Sequence, residues 1–305
     1  MSLTGRHITA GDLTPVTIQT ESTYGTPSGD PVLYGDIAEG GNFTFKDTPN
    51  PYLTWRYGSR GFSADTYVTQ QKDAGFSASL EVRDVAGWKR IIDYALTPSG
   101  VGIDPLLSSR TEAIYVRTAD SAWEGRKYNG CKTDKLTITA DAPGGIVKFT
   151  EEVMASKSAR DDLIAAVTAW TASSSPAVQW MGGMTFDGND IYPQSFSLTI
   201  SNNLERIRVP DASGKAITGA LIAGRREIEF EAEIWMEDLA LVDDSIDNGS
   251  ISGATYVTLG ISNKYKVSLV NPKWVADGSN PALIQDKQRQ TIKLRATDVA
   301  VTTVS

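Results

Sequence analysis

One cysteine and one histidine among 305 residues remove most catalytic and metal chemistry at the outset. Cys131 alone cannot form an intramolecular disulfide or a cysteine zinc site, and it agrees with a reducing compartment. In YNGCK it has no histidine nearby to activate it, so it reads as a small strand-end residue. His7 alone, in a Gly/Thr-rich opening stretch, supports no Ser/His/Asp or Cys/His constellation and no histidine metal site. Ser213-Gly214-Lys215 resembles the tail of a phosphate-binding loop, but Val209 stands where its first glycine is needed. Asp187-Gly188-Asn189-Asp190 lacks the spacing of a calcium loop and reads as a turn. Neighbouring carboxylates such as Glu151 with Glu152 and Asp243 with Asp244 diverge on a strand or helix, which speaks against an acid/base pair. No enzyme, cofactor or metal is expected.

Long apolar runs are also missing. Residues 1–8 carry no apolar core of the signal-peptide kind, and the longest uncharged stretch, 163–186, is broken by Ser, Pro and Gly. A soluble chain made in the cytoplasm, with no membrane insertion, is expected. Basic residues are outnumbered, 29 Lys and Arg against 37 Asp and Glu, giving a net charge of −8. Tight phosphate binding needs clustered Lys and Arg, so a protein that grips nucleic acid is disfavoured, whereas one that repels a polyanion is not.

What the chain does have is alternation. From 227 to 234, Ile228, Phe230, Ala232 and Ile234 interleave with Glu227, Glu229, Glu231 and Glu233, the period-2 pattern of a strand with one apolar and one wet face. Same-face neighbours lie about 6.5–7 Å apart, so four carboxylates in a row need bases across from them or an aqueous space in front. A second alternating run, 75–83, places Phe76, Ala78, Leu80 and Val82 opposite Ser77, Ser79, Glu81 and Arg83. Further strands are expected at 42–46, 113–117, 135–140, 146–155, 178–184, 195–201, 255–260, 264–270, 291–296 and 299–304. Residues 143–145 turn the third of these into the fourth as a hairpin. Helical spacing marks 85–96, with Asp84 as N-cap and Pro98 beyond the end, and short helices are also expected at 161–170 and 239–246.

Residues 1–40 read as an extended N-terminal arm rather than a helix. Two long arms, 47–73 and 202–224, interrupt the strand pattern, and loops of that length are usually functional or ordered by a partner. Trp55, Trp123, Trp170, Trp180 and Trp274 read as core or interface anchors rather than sugar-stacking platforms.

Sliding the sequence on itself by 153–154 residues sets Phe43 and Phe45 on Phe196 and Leu198. It also sets Phe76, Ala78, Leu80 and Val82 on Phe230, Ala232, Ile234 and Met236, Trp88 and Ile92 on Val242 and Ile246, and Val147 on Val301. Alternation alone matches at half of all offsets. It does not supply one order of strand, long arm, strand and helix at a nearly constant offset, so the reading is a duplication. The expected domains are a first at 41–160 and a second at 177–305, joined by a linker at 161–176.

The runs AGFSASLEVRDVAGWKRIIDYAL, YNGCKTDKLTITAD with GGIVKFTEEV, and SFSLTISNNLE with GRREIEFEAEIWMED together resemble the tail tube (major tail) proteins of long-tailed bacterial and archaeal viruses. The opening Glu21-Ser22-Thr23-Tyr24-Gly25-Thr26-Pro27 belongs to the same resemblance, which covers about residues 20–240. No single motif is diagnostic; their order is. The resemblance implies a mainly β fold: tandem tail-tube-type β-sandwich/barrel domains, each with a flanking short helix, that contribute strands to an intersubunit β-barrel. It implies a virion tail protein assembled in the host cytoplasm, whose stacked rings form the conduit for genome ejection and meet tail-tip, tape-measure and terminator proteins. Two tube domains per chain would make a homotrimeric ring pseudo-hexameric; a homohexamer of single larger domains is the runner-up. Viral duplex DNA would pass without tight binding.

On this reading Glu227, Glu229, Glu231, Glu233, Ser77, Ser79 and Glu81 face the bore. The alternative puts those glutamates on an outer face or in ion pairs with a neighbour. Trp55, Arg56, Tyr57, Arg60, Leu204, Arg206 and Arg208 are expected to make contacts between stacked rings. A β-sandwich carbohydrate-binding or virion-surface decoration module is the rival class.

Overall fold

The structure is a computed structural model and describes residues 15–29, 31–37, 43–46, 48–53, 67–82, 91–96, 107–117, 123–161, 178–210, 216–235, 251–260, 264–275, 282–284 and 287–303. The expected helices at 161–170 and 239–246, and most of the expected linker, lie outside these.

The first half holds ten strands: β1 (Pro15–Thr23), β2 (Thr26–Pro27), β3 (Val32–Ile37), β4 (Phe43–Phe45), β5 (Thr48–Leu53), β6 (Tyr67–Glu81), β7 (Arg110–Arg117), β8 (Trp123–Ala140), β9 (Lys148–Ala155) and β10 (Lys157–Asp161). The second holds β11 (Gln179–Phe186), β12 (Asn189–Ile191), β13 (Ser195–Ser201), β14 (Glu205–Pro210), β15 (Ala216–Ile222), β16 (Glu227–Trp235), β17 (Tyr256–Gly260), β18 (Lys264–Val270), β19 (Lys273–Trp274), β20 (Ala282–Ile284), β21 (Lys287–Ala296) and β22 (Asp298–Thr303). All of their pairings are antiparallel. The described helix is short, residues 91–95.

The extended backbone expected at the N-terminus is, at Pro15–Thr23 and Val32–Ile37, strand hydrogen-bonded to β7 and β6 of its own chain. Asp161 ends a strand, β10, rather than starting a helix. The first arm is a hairpin of β5 on the N-terminal part of β6, and the second is the two-stranded hairpin β14–β15.

Strand pairing repeats between the halves residue by residue. Phe43 faces Ala78 and Phe45 faces Phe76; Phe196 faces Ala232 and Leu198 faces Phe230. β1 pairs with β7 as β11 pairs with β17. Lys132 faces Met154 as Lys273 faces Arg295. Lys157 faces Asn129 as Asp298 faces Val270. Even the tight turns after β1 and β11 correspond, with Gly25 and Gly188 at φ of 75° and 82°, a backbone that only glycine adopts without strain.

The offset is not constant, however. It is 153–154 for β4 and β6 but 141 for β9 and β10, because 36 positions separate Ala78 from Ile114 and only 25 separate Ala232 from Val257. Val301 therefore corresponds to Arg160, each lying opposite the strand before it, and the expected match of Val147 with Val301 does not hold.

The halves share one sheet. β13 pairs with β16 on one side and with β8 on the other, from Phe196 opposite Ala140 to Ser201 opposite Lys135. The apolar faces of these strands merge into a single core, including Phe76, Leu80, Ile138, Phe149, Leu198, Ile228, Phe230 and Leu294. Ile91, Ile92 and Ala95 of the helix are buried in it, and the fully buried Asn202 ties that helix down by donating to Ala95 O at 2.9 Å and Thr133 O at 3.0 Å.

Charge is buried there too. Arg110, Glu112 and Glu151 are each at most 1% exposed; Arg110 donates to Glu112 and, through Nη2 at 2.9 Å, to Glu151, and lies over the Tyr94 ring. Beside them Glu21 accepts from Gly25 N, Ser109 Oγ, Thr111 Oγ1 and Gly130 N at 2.6–2.9 Å, fastening β1 to β7 and β8. Removing one partner from such a buried set strands the others. Arg110→Met is accordingly expected to cost about 3–5 kcal/mol in urea unfolding of the dispersed subunit; a loss under about 1 kcal/mol would show that the buried ion pairs contribute nothing net.

Candidate functional site

Pleating puts the apolar positions of these strands in the core and delivers the others to one continuous polar face. Seven strands build it side by side: β4, β6, β9, β8, β13, β16 and β21. Its rows can be followed across the ladders. Ser79 lies opposite Thr150, Thr150 opposite Thr137, Thr137 opposite Thr199, Thr199 opposite Glu229, and Glu229 opposite Arg295. The next row runs Glu81, Lys148, Thr139, Ser197, Glu231, Lys293. Hydroxyls fill the middle, joined by Ser79 to Thr150 at 3.0 Å and Thr137 to Thr199 at 3.3 Å.

All seven residues expected to share a wet surface, Glu227, Glu229, Glu231, Glu233, Ser77, Ser79 and Glu81, are on this one face. The glutamate row is not a bare band of negative charge. Glu229 binds Arg295 at 2.8 Å and Glu231 binds Lys293 at 3.2 Å, both bases coming from β21 of the same chain. Elsewhere Lys148 faces Glu81, Lys135 faces Glu152, and Lys46 binds Glu152. Among the described side chains six carboxylates thus stand with five cations, a formal sum of −1, and Glu227 and Glu233 lie across from serines on β13. Exposed pairs of this kind contribute only ~0–1 kcal/mol each, so their effect on the surface potential outweighs their effect on stability.

The second arm leaves this face at its Ser201 end and folds over the rim of the first half. Arg206 donates to Ala155 O at 2.7 Å and Ala74 O at 2.5 Å, and with Arg208 it approaches Asp73. Leu221 and Leu204 are buried beneath the hairpin, and Leu204 N is held by Asp134 at 2.8 Å. Leu204 and Arg206, expected at a ring-to-ring contact, are therefore engaged within the chain, whereas Arg208 is half-exposed. Trp55, Arg56, Tyr57 and Arg60 lie outside the described residues.

The reasoning from sequence missed the hairpin's other side. Ile207, Val209, Ile217 and Ile222 are all exposed there, because pairing of Ile207 with Ala220 and Val209 with Ile217 puts them opposite the Arg206 and Leu221 side. The alternation in ERIRVP was the available signal. At the far end of the same strands a second apolar group, Ile146, Met181 and Tyr192, is also exposed.

Burial pushes the Tyr24 hydroxyl up to about 12, with Cys131 and Glu21 adding to the shift. Burial also pushes the Cys131 thiol well up, with Glu112 adding and Arg110 opposing. Such a thiol is not nucleophilic. No group of three or more potential metal ligands occurs among the described residues.

The sheet thus has one sealed face and one hydroxyl-rich face, and among the described residues its end strands are paired on one side only. A family model described as phage tail tube protein matches residues 11–300, and the chain belongs to that family. No curated protein matches it. The family is one of structural, non-catalytic virion tail components.

Arg206→Ala would leave two rim carbonyls without their charged donor and is expected to cost about 1–3 kcal/mol. Arg208→Ala, at the exposed Asp73 pair, is expected to cost under about 1 kcal/mol. Equal losses in thermal unfolding of the two variants would overturn this account of the clasp.

Proposed function

We propose that this chain assembles into rings that stack as the hollow tail tube through which the viral genome is ejected, with the hydroxyl-rich face lining the bore. The observation that carries the reading is the β8–β13 ladder, which already joins two tube-like units into one curved sheet with a single polar face. The units run from β1 to β10 and from β11 to β22, each supplying four strands to that sheet: β4, β6, β9 and β8, then β13, β16, β21 and the β19–β20 segment. Eight strands from each of three chains would make a twenty-four-strand cylinder. Barrels of sixteen strands or more keep an open interior, so such a ring leaves a bore. We therefore favour a homotrimeric, pseudo-hexameric ring.

Stacking follows from polarity. The aliphatic face of the β14–β15 hairpin and the Ile146, Met181 and Tyr192 group lie at opposite ends of the same strands, so one ring's arm end can rest on the next ring's far end. A contact between unlike surfaces that does not close generates an open stack. Tail-tip, tape-measure and terminator proteins would meet the tube's ends and interior, and assembly would take place in the host cytoplasm.

The bore's chemistry suits passage. Duplex DNA is held by released counterions when Lys and Arg neutralise its phosphates. Among the described side chains each base stands opposite or bound to a carboxylate, and six carboxylates with five cations leave a formal −1. Negative-stain imaging of purified protein is expected to show tubes with a central hole and threefold rings; dispersed monomers that bind glycans would favour a carbohydrate-binding module instead. Glu227→Lys with Glu233→Lys changes the face by +4 per chain. Tubes of this variant are expected to retain duplex DNA at low salt and release it as salt rises; retention no greater than that of the parent tubes would remove the lining role.

A further inference from the structure

We infer that the junction between the two halves of one chain is repeated between chains, with β4 of one copy hydrogen-bonded to β20 of the next, Phe43 facing Leu283 and Thr44 facing Ala282. This rests on the tube reading above and fixes which edges meet and in what register.

The two ends of the sheet are complementary halves of a ladder that the chain already contains. β13 is the counterpart of β4 and pairs with β16 and β8; β4 pairs with β6 and, among the described residues, with nothing on its other side. Along this stretch β8 pairs with β9 and β13; β19 and β20, which follow its course along β21, pair among the described residues with β21 alone. The missing neighbour of β4 is thus a β20-like strand, and the missing neighbour of β20 is a β4-like strand. Within this chain they terminate opposite ends of one sheet and do not pair with each other.

Burial shows the same gap. Leu198, flanked by β8, is 1% exposed, whereas Phe45 in the equivalent position is 53% exposed. Phe45, in phase with the core face, packs against Phe43 and lies beneath Arg126, but among the described residues it has no strand beside it on the outer side. The backbone agrees as well. Lys46 N donates to Gly75 O on β6 at 2.9 Å, so Lys46 and Thr44 turn their polar groups toward β6. Phe43 and Phe45 then turn theirs outward, to the open edge.

Register follows from the internal copy. Phe196 faces Ala140 and Ser197 faces Thr139. Phe43 and Thr44 replace Phe196 and Ser197 on β6 as those do on β16. Thr139 lies opposite Lys148 and Ala282 opposite Arg289, 141 positions further on; Ala282 therefore takes the place of Thr139, and Leu283 that of Ala140.

Thr44 opposite Ala282 would be a non-hydrogen-bonded pair, whose Cα atoms lie about 4.5 Å apart, within the range a disulfide spans. Thr44→Cys with Ala282→Cys, oxidised in assembled tubes, is expected to join most chains covalently into species of up to three chain masses on a non-reducing gel, while either single variant runs as one chain. The buried Cys131 is not available to compete. As a second test, Phe45→Pro removes an outward N–H and no bond to β6; it is expected to give a folded subunit that forms no rings. Tubes whose double-cysteine chains stay single, or rings formed by the proline variant, would overturn the proposed pairing while leaving the tube intact. Parent protein that forms no rings at all would overturn the tube reading itself.

Discussion

An extended strand cannot satisfy its own backbone: every N–H and C=O along its edges needs a partner, and burying them unpaired is costly. This chain meets the requirement internally at nearly every described strand, and its largest solution is the β8–β13 ladder. That ladder makes the halves one sheet, merges their cores, and brings the polar positions of seven strands to a common face. The Asn202 hydrogen bonds and the Arg206 clasp depend on it, since both reach from the second half to backbone of the first. What the ladder leaves over, among the described residues, is one open strand edge at each end of this face.

The same constraint explains the character of the polar face. Glutamates spaced by two along β16 repel one another unless charge of the other sign stands across the ladder. Arg295 and Lys293 supply it on one side, and the hydroxyls of β13 keep the other side wet without adding charge. Among its described side chains, a surface built this way is strongly hydrated and close to neutral. That property matters only where something charged passes close by, which is why the face, more than the overall charge of −8, carries the proposed role.

Strands with one buried face were legible because their alternation is written into the sequence: β6, β9, β13 and β16 are all visible there, and so is the shared face of Glu227–Glu233 with Ser77–Glu81. β1 was not: it pairs with β2 and β3 nearby and with β7 about 95 residues away, and the Gly, Thr and Pro around it imitate a loop. The N-terminal half of β8 was hidden by EGRKYNG, whose polar and Gly residues imitate a loop. Glu151 could have been flagged: it falls in phase with Phe149 and Val153, and a carboxylate in a core register demands a buried base. Which base could not be read, since Arg110 reaches it across the fold. The duplication was legible where spacing held and lost where the connection to β17 shortened.

Joining two similar units in one chain gives them two junctions that need not be equal. Inside the chain, β13 is held against β8 by proximity as well as by its hydrogen bonds, so its apolar residues can be fully buried from the moment the subunit folds. In the proposed ring the equivalent strand waits for the next chain, and the lone subunit has to tolerate its exposure. β4 ends beside Lys46, an edge charge of the kind that discourages indiscriminate strand pairing. A guarded edge favours a partner that offers the right strand in the right register. It thereby makes assembly selective, at the cost of leaving Phe45 in water until the neighbour arrives.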